Sequence, residues 1–131
     1  MFAAPADAGT ALRQVTYIRV AGSSEPAGYT WAFTPDAIAA GAIAAFRGVD
    51  PVSPVNASSS RVNNPSPSTA NVTIDQVTTT ASDTVLVALY ATAYATTHTP
   101  PGGMTEAYDA ATTAGQNGVA VSAAYVQQNA A

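Results

Sequence analysis

His98 is the one histidine of the chain, and it stands in Thr97-His98-Thr99-Pro100 at the edge of a loop. A catalytic relay needs a histidine held between a hydroxyl or thiol and an orienting acid. A histidine metal site usually draws on more than one imidazole. Spacing alone assembles neither, so His98 reads as a surface loop residue. Cysteine is absent, which removes thiol nucleophiles, Cys-ligated zinc and disulfides together. The carboxylates Asp50, Asp75, Asp83, Glu106 and Asp109 are scattered, without the dense acidic spacing of a calcium loop. One calcium shared between loops is the metal arrangement left open. Nothing draws two carboxylates into the close pair of a glycosidase. Asp36, Asp50 and Asp109 adjoin turn signals, where aspartate commonly bonds its own backbone. Gly102-Gly103 has no lysine and no strand-to-helix context, so it is a turn and not a phosphate cradle. No catalytic, cofactor-binding or metal-ligating residue is expected, and no cofactor.

Two further features bear on partners. Asn56-Ala57-Ser58 and Asn71-Val72-Thr73 are sequons, which matter only where the chain meets a glycosylating machinery. Large core formers are scarce, with one Trp, three Phe and six Tyr, so each aromatic carries an unusual share of the packing. Most of them alternate like core residues. Tyr90, Tyr94 and Tyr108 are the candidates for an exposed cluster that could stack on sugars.

Charged residues make up 9% of the sequence, against about a quarter in an average soluble protein. There is no lysine, and the cations Arg13, Arg19, Arg47 and Arg61 face eight carboxylates for a net charge of −4. Nucleic-acid affinity rests on many Lys and Arg contacts to phosphate, so a nucleic-acid partner is not expected. An apolar content of 47% is too high for a disordered chain. Ser, Thr, Asn and Gly with little charge suit a surface that packs against copies of itself or a larger assembly, although a GC-rich genome would leave a similar composition. Met1-Phe2-Ala3-Ala4-Pro5-Ala6-Asp7 shows no signal-peptide pattern. Export would then proceed by lysis, inside a particle, or from a longer precursor. No apolar run approaches the ~18 residues of a membrane helix.

The elements that must position these residues read as strands. Leu12 to Val20 is rich in β-branched and aromatic residues, and Ala21 to Gly28 is turn-like. Tyr29-Thr30-Trp31-Ala32-Phe33-Thr34 alternates with period two, the mark of a strand with one buried face. Tyr29, Trp31 and Phe33 are therefore expected to form a core stripe with Val85, Val87 and Leu89. Gly41 to Arg47 reads as a strand, although its alanines also suit a helix. Asp50 to Ser68, with Pro51, Pro54, Pro65 and Pro67, reads as a long loop. Thr69 to Val77 and Thr84 to Ala93 read as strands, the latter apolar on both faces and so central in its sheet. A turn at Thr99 to Gly103, a strand from Met104 to Tyr108 and a last strand from Gly118 to Gln127 complete one domain over 1–131. About six or seven short strands with Pro/Gly turns describe an all-β, antiparallel β-sandwich.

Three ordered blocks carry a resemblance. They are Thr16 to Phe33, Phe46-Arg47-Gly48-Val49-Asp50, and Thr99-Pro100-Pro101-Gly102-Gly103-Met104-Thr105-Glu106-Ala107-Tyr108-Asp109. In that order the chain resembles the jelly-roll-like β-sandwich domains of phage structural proteins and large bacterial surface proteins, over roughly residues 10 to 125. The resemblance implies a fold and carries over no catalytic residue. Members of that group have a strand before the Leu12 block and another after the Gly118 block. Their absence here implies open edges that neighbouring copies complete by strand addition or lattice packing. The expected function is architectural: a non-enzymatic subunit of a virion (capsid decoration, head fibre or tail component) or of an extracellular filament. Copies of itself or a capsid, tail or filament assembly would be its partners. The alternative is a carbohydrate-binding or adhesive surface module with glycans as partners. No membrane insertion is expected, and the location is the virion, the extracellular space or the cell surface.

Overall fold

The structure, a computed structural model, describes residues 2–9, 11–34, 37–63, 71–113 and 117–129. Among these residues it is all-β, with five strands: β1 (Phe2–Ala8), β2 (Leu12–Ile18), β3 (Thr84–Thr92), β4 (Thr105–Ala111) and β5 (Ala120–Gln128). They form two antiparallel sheets, a β1-β2 hairpin and a three-stranded sheet of order β3-β5-β4. Among the described residues, no extensive packing joins the hairpin to the larger sheet.

Leu12 to Val20, Thr84 to Ala93, Met104 to Tyr108 and Gly118 to Gln127 fall on β2, β3, β4 and β5. The expectation that no strand precedes the Leu12 block is corrected: β1 lies there, and it pairs without a break from Phe2 opposite Ile18, through Pro5 opposite Val15, to Ala8 opposite Leu12.

Three further expectations are corrected. Tyr29–Thr34 and Gly41–Arg47 form no strand, nor do the described residues 71–77; the remainder of the expected Thr69 strand lies outside the described residues. β3 is not central but an edge strand, because β5 lies between β3 and β4. The proposed core stripe does not form: Tyr29, Trp31 and Phe33 keep 41%, 51% and 55% of their surface exposed. Period-two alternation records a capacity for pairing, and a strand exists only where a partner backbone is in register.

The core lies on β5 and is made of small residues. Ala120, Ala123, Ala124 and Ser122 are its buried members, and no large side chain among the described residues is fully buried. The register explains this. Ala123 is flanked by Leu89 of β3 and Tyr108 of β4, and Ala124 by Ala88 and Glu106. A central strand that carries small residues lets bulkier neighbours close over it from both sides. The cost is a thin core, since each buried alanine removes little apolar area from water.

β3 and β4 are both antiparallel to β5, so they run parallel to each other with β5 between them. The connection 93–104 must therefore cross a face of the sheet. It ends in a tight turn, in which the Met104 N–H donates to the Pro101 carbonyl at 3.1 Å. Gly103 there has φ +86°, the left-handed conformation that a type II turn demands at its third position.

Residues 56–63 and 71–80 have no strand pairing, yet they lie antiparallel, laced by side chains. The Thr80 N–H donates to Asn56 Oδ1 at 2.8 Å, and the Asn56 amide donates to Thr80 Oγ1. Ser59 Oγ donates to the Asp75 carbonyl and Asn63 Nδ2 to the Thr73 carbonyl, both at 2.7 Å. Arg61 pairs with Asp75 at 3.1 Å. Asx side chains here take the place of a backbone ladder.

Candidate functional site

Two places bring chemically capable side chains together. The first is the crossover. Thr92 closes β3 and Asp109 lies in β4, and the register puts them on one face, beside Ala120 and Ser122 of β5. His98, midway along the connection, fits between them. Its backbone N–H donates to Asp109 Oδ2 at 2.9 Å, and its Nε2 lies 3.2 Å from Thr92 Oγ1. The imidazole is 15% exposed. The expectation of a surface loop residue is thus corrected: the missing signal was topological, because only the strand order brings residues 92, 98 and 109 together.

Thr92, His98 and Asp109 follow the order of a nucleophile, base and orienting acid. Their geometry braces instead. The Thr92 hydroxyl donates to the Tyr94 carbonyl at 2.9 Å, which leaves its lone pairs to face His98 Nε2. A neutral ring then carries its proton on Nε2 and turns the bare Nδ1 toward Asp109. Nδ1 and Asp109 Oδ1 are 3.8 Å apart, and neither has a hydrogen-bond partner. Among the described residues, no three metal-ligating side chains converge.

The second place is the exposed arm that follows β2. Glu25 is its organiser, accepting hydrogen bonds from the Gly22 N–H and the Tyr29 hydroxyl and pairing with Arg19 at 3.4 Å. The Arg19 guanidinium also lies 6.0 Å from the centre of the Tyr29 ring, within cation–π range. The Tyr29 hydroxyl, helped by the Gly22 N–H, holds the Glu25 carboxyl below its ordinary value. The same bond pushes the Tyr29 phenol up. Trp31 stands beside Tyr29, ring centres 6.2 Å apart and planes tilted by 40°.

Of the three tyrosines expected to be exposed, Tyr94 is so. Tyr90 and Tyr108 are half-buried in the sheet, and burial raises both phenols. The aromatic cluster at the surface is Tyr29 with Trp31, taken from residues whose alternation had pointed to the core.

An open groove of about 470 Å³ lies where residues 43–47 pass the β4 bulge, lined by Ile43, Phe46, Arg47, Glu106 and Tyr125. Phe46 meets Tyr125 edge to face at 5.4 Å. No helix is long and apolar enough to cross a membrane among the described residues. Compared with family models, curated proteins and solved structures, the chain matches none.

Proposed function

We propose that this chain is a non-enzymatic architectural subunit, a jelly-roll-like β-sandwich module whose copies complete one another in a virion component or an extracellular filament. One observation carries this reading. The chain exposes 9508 Å², whereas a compact monomer of its mass exposes about 6,400 Å². Large apolar side chains contribute to that surface: Trp31, Phe33, Ile38, Ile43 and Val52 are all exposed, while the buried core is alanine and serine. A three-stranded sheet with so thin a core gains stability chiefly when another surface covers it.

Light scattering across a concentration series, with electron microscopy of the same sample, tests it. Discrete oligomers or filaments are expected. A strict monomer at every concentration overturns self-assembly. A second reading, a glycan-binding surface, is favoured by the exposed Tyr29–Trp31 pair beside Arg19 and Glu25, which offers ring faces and polar groups together. Saturable glycan binding lost in Trp31→Ala would establish it.

A further inference from the structure

We infer that the segment Tyr29–Phe33 of one copy adds as a strand to the open edge of β3 in the next copy. This rests on the architectural reading and names its joint.

The two edges of the larger sheet are unlike. β4 carries Glu106 and Asp109 and is broken by the bulge between Glu106 and Tyr108, features that discourage edge pairing. β3 reads Thr-Val-Leu-Val-Ala-Leu-Tyr-Ala-Thr. It has no charge, proline, glycine or bulge across nine residues, so nothing in its sequence guards its second side. Among the described residues it pairs with β5 alone.

The segment Tyr29–Phe33 is the complement. It alternates aromatic with small residues, as a strand does, yet its backbone makes no backbone hydrogen bond among the described residues. The Glu25 clasp fixes its base at Tyr29 and leaves Trp31 and Phe33 projecting. The clasp folds the connection back, with Arg19 6.0 Å from the Tyr29 ring, so the segment starts beside the end of β2. Strand addition gives unpaired donors and acceptors on both partners a ladder, and it seats alternate side chains against the sheet face.

The occupant is a second copy because, among the described residues, one chain carries both halves of the joint, an alternating segment without a backbone partner and an unguarded edge strand that pairs on one side alone. Arm and edge are different surfaces, so the contact is head-to-tail and builds a ring or a fibre.

The absence of cysteine makes cross-linking clean. Ala32→Cys is combined in turn with Ala88→Cys and with Ala91→Cys, which lie on opposite faces of β3. Oxidation of the assembled protein should give a reducible inter-chain ladder from one of the two pairs. A disulfide confined within single chains, or none in demonstrable oligomers, overturns the joint and leaves the architectural reading standing. Cross-linking by Ala88→Cys alone, matching the double variant, indicates β3 against β3 and also overturns it. Ala32→Pro removes an arm N–H that the chain itself does not use. It should return assemblies to monomers with an unchanged circular dichroism spectrum, and undiminished assembly overturns the inference. A parent chain that is monomeric throughout overturns both readings.

Discussion

The larger sheet and the arm differ in where their hydrogen bonds go. In β3, β4 and β5 the backbone is paired, and the buried residues of β5 are alanines and a serine. Among the described residues from Arg19 to Thr80 the chain is held by side-chain contacts, Glu25 with Tyr29 and Asn56 with Thr80, while Trp31, Phe33, Ile38 and Ile43 face outward. The lesson is that size and burial have separated. The buried positions of the sheet are small, whereas Trp31 and Phe33 of the arm stay exposed.

That contrast is broken most sharply at β5. Ala124→Asp buries an unpaired charge at a 2% exposed site and should cost on the order of 4 kcal/mol or more. Denaturant unfolding, or outright failure to fold, checks it. Trp31→Ala in the arm, by contrast, should change the stability of the isolated chain by no more than about 0.5 kcal/mol. A loss of several kcal/mol in dilute monomer would mean the aromatic stripe is a core after all.

Next in size is the crossover brace. Asp109→Ala removes the acceptor of the His98 N–H and should cost about 1–3 kcal/mol. Hydrogen exchange should accelerate across 93–104 and leave the β1-β2 hairpin unchanged. Gly103→Ala should cost about 1–2 kcal/mol through its left-handed φ of +86°.

The smallest effect is the opening of the Glu25 clasp with pH. The Glu25 carboxyl is held below its ordinary 4.5, chiefly by the Tyr29 hydroxyl and then by the Gly22 N–H. Its contribution is therefore present above 4.5 and lost as pH falls through the lower folded value. Tyr29 is raised above its ordinary 10.0, mainly by the same bond, so its contribution is present below that value and lost as pH rises through the higher one. Trp31 fluorescence should change in both limbs, and Glu25→Ala should abolish both.

Much of the strand inventory was legible because β3 and β5 each combine β-branched and aromatic residues over nine positions, bounded by turn residues. The Pro101–Met104 turn was equally plain from Pro-Gly-Gly. The brace was not legible: Thr92, His98 and Asp109 are separated by β-strand ends and a loop, and only the placement of β5 between two parallel strands brings them within bonding distance. The aromatic stripe was misread for a related reason. Alternation shows that one face of Tyr29–Phe33 is apolar and leaves open whose apolar surface it meets.

The sequence by itself determined an all-β chain with little charge, no cysteine and a period-two aromatic segment, because composition and alternation are local properties of the polymer. Only the tertiary structure decided that β5 is central, that β3 is an unguarded edge, and that Trp31 faces outward. Those follow from register and strand order, which depend on partners distant in sequence and are not encoded in any single segment.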